Sequence, residues 1–485
     1  MVKGLGRVER EVQPVSVDFI LAAKELIAVN TVSENGNEEI IPLLRGLLQG
    51  MGMSLIVQRA EIAGVEHANL IGSAGVDIGG GLLLGAHVDT VDPGDTDLWT
   101  ECGEDPFCAT VRGDRVFGLG TASGKLDWLA KVEAARRLAG QKLMRPLHIA
   151  ATYGEQLGLL GAKQLAASGV VRAEFACVAE PTGLAVVYAN KGYLAIRFKL
   201  RDVLAKQPAA GKALYRINCH GVPAHSAVPS MGDNAILRAL GVCVGGDGRV
   251  PAGVTVVSIQ GGDAINKVPD HCEVDATGSP AVLEGMASEH VKVEQITRVM
   301  AGSSINGLVE AMVRVYHSWE ALARSLRPEQ NAEFDPPDTV YNLGWVNTSA
   351  NDMEFGMDLR LLPGQDYDSV TDWIPRVIDE VSRDCPDVEI DGMLEMRADP
   401  MSTPKNGRLV TVATGILGDL GIRAGSMTKS VATEGSVYSA AGMETICFGP
   451  GSSMGTVHHP NESNSIRELM TAVDFYERLI KKICL

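Results

Sequence analysis

Residues 79–90 read GGGLLLGAHVDT, and this stretch decides the fold. Three glycines lead into an apolar run, and polar side chains arrive only at its end, with His87 and Asp89. A short apolar run with no polar alternation, bounded by turn signals, predicts a strand buried on both faces. Polar residues at the carboxyl end of such a strand fall where open α/β sheets keep their ligand sites.

Working outward, helical spacing predicts helices over 16–30 and 37–51, then short apolar runs at 53–58, 69–72 and 81–86. Beyond the quoted strand the pattern alternates: helix 125–139, strand 146–152, helix 157–168, strand 175–179. That alternation predicts a mostly parallel sheet covered by helices. Near residue 190 the character changes. Segments 192–200, 213–219, 253–259 and 270–276 read as antiparallel strands around a helix at 233–245, and a long amphipathic helix is expected over 291–325. After the polar loop RPEQNAEFDPPD (327–338) come strands 339–346 and 352–361, a helix at 367–383 and a strand at 387–396. From 405 the α/β alternation resumes with helix 405–419, strand 443–448 and a last helix at 465–483. The expected organisation is an α/β domain in two parts, 1–188 and 399–485, interrupted at 189–398 by an α+β domain of two similar halves.

Composition agrees. The 485 residues are 45% apolar, more than one ordinary core holds, so two or more domains are expected. A formal net charge of −17 leaves no basic footprint for nucleic acid and no polybasic patch for a membrane. No apolar run approaches a membrane span, and the opening MVKGLGRVEREV lacks a signal-peptide core, so a cytoplasmic chain is expected. Nine cysteines without a CxxC pair read as reduced thiols.

The chemistry-bearing residues gather at predicted strand ends: His87 and Asp89, Glu155-Gln156 after 146–152, Glu180 after 175–179, and the segment His458-His459-Pro460-Asn461-Glu462. The turn Gly118-Leu119-Gly120-Thr121-Ala122-Ser123-Gly124-Lys125 opens a helix beside them. Each alone is better explained by a structural histidine or a solvated acid. Together they place imidazoles and carboxylates along one sheet edge, which is how a metal site assembles from distant sequence.

These residues carry a resemblance. HVDTV (87–91), Trp99 with Asp105–Phe107, AEPT (179–182), GVPAHSAVPSMGDNAI (221–236), GGDAINKVPD (261–270) and FGPG…HHPNE (448–462) resemble the metallopeptidase family of succinyl-diaminopimelate desuccinylase, acetylornithine deacetylase, glutamate carboxypeptidase and aminoacylase. The resemblance implies a three-layer zinc-peptidase domain with an inserted lid. It implies that His87, Glu180 and His458 are metal ligands, that Asp89 orients His87, and that Glu155 is the general base. It further implies that His225 polarises the scissile carbonyl and that Asn266 and Arg360 hold substrate, Arg360 through a carboxylate.

The sequence departs from that pattern at two positions. The turn carries Ser123 where the family has an aspartate bridging two metals, and Gln156 stands where a second acidic ligand follows the base. Two neighbouring divalent cations need anionic ligands to offset their repulsion, so a two-zinc site is not expected. His87, Glu180 and His458 leave a two-histidine, one-carboxylate set suited to one zinc, with no metal as the alternative. Ser123 with Lys125 also admits a nucleophile reading, against which stands the ordinary use of serine as a small filler and helix cap. Asp127, one turn on from Ser123, is a candidate replacement carboxylate. The Thr433-Glu434-Gly435 turn resembles a family loop near the substrate, or else caps the following helix.

The inserted segment is about twice the family's usual length, and Arg360 lies in its second half, in Asp-Leu-Arg-Leu-Leu-Pro-Gly at 358–364. That resembles dipeptidase-type members whose doubled lid imitates a dimer partner, and implies a monomer, with a dimer carrying an extra surface subdomain as the alternative. The expected activity is hydrolysis of an amide in an N-acyl amino acid or short peptide with a free carboxylate. The alternatives are a metal-independent enzyme of acyl transfer, condensation or elimination on an amino-acid-like substrate, or an inactive ligand-binding relative.

Overall fold

The computed structural model describes residues 17–76, 79–204, 213–296, 303–327, 330–349, 351–453 and 455–485. They divide into two compact units: Met1–Asn190 with Met401–Thr428 and Thr433–Leu485, and Lys191–Pro400 with Lys429–Ala432.

The first unit is built on a nine-stranded sheet. Its centre is parallel and runs Leu147–Thr152, Leu82–His87, Phe175–Ala179, Glu444–Phe448. Antiparallel strands Ser54–Ile62 and Val65–Ala74 extend one side. Val186–Asn190 and Met401–Ser402 extend the other. All six residues of Leu82–His87 are buried. Leu83, Ala150, Ala176 and Val178 pack under Ala162 and Leu165 of the helix Leu160–Ser168 and Tyr438 of the helix Gly435–Ala440. Against the sheet's other face lies the helix Gly124–Arg136, with Ile466–Cys484 and Val17–Ala28 beside it. The result is three layers, helix on sheet on helix. The four parallel strands end together at His87, Thr152, Ala179 and Phe448, so every polar residue that follows them is delivered to one edge.

The second unit is an eight-stranded antiparallel sheet in the order Val291–Ile296, Leu214–His220, His271–Thr277, Thr255–Gly261, Val340–Ser349, Asp352–Arg360, Tyr193–Asp202, Val388–Ala398. Helices Ala235–Cys243, Asn306–Leu326 and Trp373–Asp384 cover one face of it. Its two halves join where Gln260 pairs with Asn347 and Gly261 with Val346.

One expected element is wrong. The helix predicted over 291–325 begins at Asn306; Val291–Ile296 is an edge strand paired with Leu214–Cys219. Its first four residues, VKVE, alternate inward and outward from the buried Val291, a period-two start that overrides the helical reading. The helices expected at 37–51 and 157–168 are shorter, Ile41–Leu48 and Leu160–Ser168.

Candidate active site on the first unit

His87 ends its strand with only 7% of its surface exposed. Its Nδ1 donates to the Asp89 carbonyl at 3.1 Å and lies 3.4 Å from Asp89 Oδ1, which fixes the ring. Its Nε2 lies 3.4 Å from Glu155 Oε2. Burial alone would lower the imidazole pKa; Glu155 and then Asp89 outweigh it and raise it well above the ordinary value. Asp89 is fully buried, yet His87 and the Ser33 hydroxyl, 2.5 Å from Oδ2, hold its pKa down against that burial. The Gln156 N–H also points at Asp89 Oδ2, at 3.3 Å. Nothing in the sequence singles out Ser33, which reaches Asp89 from a separate loop.

Gln156 does what a carboxylate could not: its side-chain amide donates to Glu155 Oε2 at 2.7 Å. An acid there would repel Glu155. The substitution therefore ties Glu155 into a chain running from Gln156 to His87.

The turn before the helix Gly124–Arg136 is held by Glu462, whose carboxylate accepts from the N–H groups of Gly120, Ala122 and Ser123 at 3.1, 2.7 and 3.2 Å. Ser123 is the N-cap residue but its hydroxyl makes no capping bond. Lys125 is buried, donates to the Val29 carbonyl at 2.8 Å, and is pushed by burial down to about 7. Its ammonium is thus engaged away from Ser123, which removes the support for a Ser–Lys nucleophile. Gly124 is packed so tightly that a Cβ would sit 1.7 Å from the His87 carbonyl oxygen. Asp127 is unavailable as a replacement ligand: Tyr476 donates to it at 2.6 Å and Lys131 at 3.1 Å in a buried network.

Glu180 and His458 complete the edge. His458 has a left-handed φ of 60°. Although the residue is exposed, the protein around its ring lowers the pKa, and His87 adds to that, so His458 is neutral. Glu180 acts in the opposite direction on it. Glu434 proves to be more than a cap. It makes no capping bond; instead Thr152 donates to its Oε1 at 2.7 Å while Oε2 has no partner among the described residues. Burial raises its pKa to about 8 against the pull of His87.

On the second unit the structure brings His225, Asn266 and Arg360 into one cluster. His225 Nδ1 accepts from the Ala227 N–H at 3.0 Å, which leaves Nε2 to carry the ring proton. The Ser226 N–H donates to the Asn266 carbonyl at 3.0 Å. Arg360 is 4% exposed, stacks 4.0 Å above the Tyr193 ring, and donates to the Ser226 hydroxyl at 3.1 Å. Asp358, fully buried, lies 3.4 Å from the same guanidinium, and burial lifts it to about 6 against Arg360 and Ser226. Arg360 Nε is buried and has no hydrogen-bond partner among the described residues. The sequence gives no signal for Ser226 or Asp358.

Two cations do not fit this edge. Ser123 and Gln156 bring no negative charge, and the turn at Gly124 closes directly onto the His87 carbonyl. One cation fits the donor chemistry of His87, Glu180 and His458, with His458 already neutral. Among the described residues no three His, Cys, Asp or Glu side chains converge as a metal-holding group, and His87 Nε2 faces Glu155 instead. An ion would have to displace that pairing and the His87 proton.

Known proteins share sequence and fold with this chain. Acetylornithine deacetylase of Photorhabdus laumondii is 33% identical over 277 residues, covering 53% of this chain and 66% of that protein. The Yersinia pestis enzyme of the same name is 30% identical over 275 residues, covering 53% and 64%. The match therefore spans less than two thirds of these relatives' length. Among solved structures, aminoacylhistidine dipeptidase of Vibrio alginolyticus shares the fold with a TM-score of 0.66 at 16% identity, over 98% of both chains. An M20 family metallo-carboxypeptidase of Sulfolobus solfataricus gives 0.58 at 14% identity, over 96% of this chain and 99% of that one. No helix among the described residues is long and apolar enough to cross a membrane. Residues 83–482 match the family described as Peptidase family M20/M25/M40, and the chain belongs to it.

Proposed function

We propose that this protein hydrolyses the amide bond of an N-acyl amino acid or short peptide that carries a free carboxylate. The observation that carries the reading is the His87–Glu155 pair, 3.4 Å apart at the carboxyl edge of the parallel sheet, with Asp89 fixing the imidazole. Glu155 takes the proton of the attacking water and returns it to the leaving amine nitrogen. Asp89 holds the His87 ring, and Gln156 holds the Glu155 carboxylate in place for that transfer. His225, with its proton on Nε2, is assigned to the scissile carbonyl oxygen. Asn266 and Arg360 are assigned to the substrate carboxylate, for which the partnerless Arg360 Nε is the support.

His87, Glu180 and His458 are assigned as the ligands of a single zinc ion. A zinc held there supplies Lewis acidity to the carbonyl and to the attacking water. A second reading, a metal-independent enzyme on a similar substrate, draws support from the His87–Glu155 pairing at 3.4 Å, because an imidazole N–H presented at this edge can stabilise a developing oxyanion without an ion.

The test is a screen of N-acyl amino acids and dipeptides, run with metal analysis of the wild type and of His458→Ala. We expect hydrolysis that is lost on chelation and restored by zinc, about one ion fewer in His458→Ala, and a loss of at least about 100-fold in Glu155→Gln. Hydrolysis that survives chelation would sink the zinc assignment and leave the second reading. No cleavage of any amide, with zinc supplied, would sink the function itself.

A further inference from the structure

The outer face of the second unit's sheet carries histidines that the amide chemistry does not use. His271 opens the strand His271–Thr277 and His220 closes the strand Leu214–His220; they are direct partners in the antiparallel register. On the other side of His220, extending the pairing of Cys219 with Val291 by one residue brings up His290, whose carbonyl accepts from the His220 N–H at 2.9 Å. Three histidines thus stand side by side, two on paired strands and His290 in the turn that leads into the third. Directly paired residues project to the same face of a sheet. Here that face is the solvent face: Tyr215, Ile217 and Cys219 turn inward, while His220, His271 and His290 are exposed.

The spacing suits an ion. The His220 and His271 ring centroids are 5.3 Å apart, with planes inclined at 42°. Two imidazoles on one divalent ion, bound at about 2.0–2.1 Å per nitrogen with tetrahedral or octahedral angles, hold their centroids roughly 4.5–5.2 Å apart. A small rotamer adjustment closes the difference. Glu273, two residues beyond His271 and on the same face, places Oε1 3.3 Å from His271 Nε2. The neighbouring cations do not forbid the site. Arg216 is engaged by Asp275 at 2.9 Å and by the other Glu273 oxygen at 3.3 Å. Lys292 stands opposite Asn218, one row away. As placed, no three such side chains converge among the described residues. The site is therefore a two-imidazole chelate with a carboxylate at its margin and water in its remaining positions.

We propose that His220 and His271, flanked by Glu273, bind one borderline divalent transition-metal ion on the second unit, independently of the residues assigned to hydrolysis. Imidazole ligands select Cu²⁺, Ni²⁺ and Zn²⁺ in the usual order of affinity, and not Mg²⁺ or Ca²⁺, which take oxygen.

The test uses the full chain, freed of metal with a chelator and titrated with Cu²⁺ and with Ni²⁺ alone, beside His220→Gln/His271→Gln. We expect the wild type to bind about one ion more than the double variant. The electron paramagnetic resonance of Cu²⁺ at that site should show two nitrogen ligands, and Glu273→Gln should weaken it about 10-fold. Amide hydrolysis should be unchanged in the double variant. Equal ion numbers and equal affinities in the two proteins would overturn the proposal. Both positions are exposed, so the variant should melt with the wild type; if it does not, His271→Gln alone serves for the same comparison.

Discussion

Glu434 is 2% exposed, and one of its two carboxylate oxygens has no partner among the described residues. A carboxyl in that position is better neutral than charged, because ionisation without hydrogen bonds in a buried site is costly. Burial accordingly raises it from 4.5 to about 8, even with His87 and the Thr152 hydroxyl pulling the other way. The folded protein therefore holds this proton more tightly than the unfolded chain does. Stability is unaffected at low pH, falls as pH rises from about 4.5 to about 8, and is level beyond. At pH 7 the loss is about 3 kcal/mol. Glu434→Gln keeps the oxygen that accepts from Thr152 and cannot ionise. Its melting temperature should rise relative to the wild type steadily from pH 4.5 to pH 8, as followed by calorimetry; a difference that stays flat with pH would contradict the neutral carboxyl. No sequence pattern announces this state. The Thr433-Glu434-Gly435 turn was legible as a turn near the site, but burial with an unpartnered oxygen is a property of the packed neighbours.

At the scale of elements, the turn 118–125 decides what the sheet edge can hold. Glu462 fastens its backbone N–H groups, and Gly124 lets the helix start against the end of the His87 strand. Gly124→Ala would put a methyl 1.7 Å from the His87 carbonyl oxygen, so helix and strand must separate. We expect a destabilisation of about 2–3 kcal/mol in denaturant titrations, with activity falling further than stability because His87 moves. Retention of wild-type stability would mean the turn is looser than the packing implies. The double reversion Ser123→Asp/Gln156→Glu tests the same edge from the ligand side: elemental analysis should find about one additional zinc per chain over the wild type. An unchanged zinc count would show that the tight turn, and not the missing charge, limits the edge. The strands that carry His87, Glu155 and Glu180 were readable because buried parallel strands are apolar throughout and their polar ends stand out. Val291–Ile296 was not: a short edge strand beside a true amphipathic helix merges with it when apolar residues are counted in helical windows.

For the whole molecule, the second unit enters after Asn190 and leaves at Pro400, and Asn190 is the direct ladder partner of Met401. The two joints are therefore neighbours in one antiparallel pair. Replacing 191–400 by Asn-Gly, a dipeptide suited to a two-residue hairpin turn, should give a first unit that still unfolds in one cooperative step by circular dichroism. A featureless melt would mean that the first unit depends on the second for its stability. The interruption itself was legible in the sequence, because the change from βα alternation to antiparallel runs near residue 190 is a change of hydrophobic period. The short return of Lys429–Ala432 to the second unit left no such trace, since four residues are too few to show a period.

That pairing of Asn190 with Met401 also bears on how the protein tolerates its own size. At that joint the roughly 200 intervening residues leave and rejoin the sheet at neighbouring positions. For a flexible loop the entropy of closure grows with the logarithm of length, about 0.6 kcal/mol for each doubling. A second unit that folds on itself removes even that dependence. Lengthening the insertion at this joint therefore adds little closure entropy to the sheet that carries His87, and insertion size is a variable this topology leaves open.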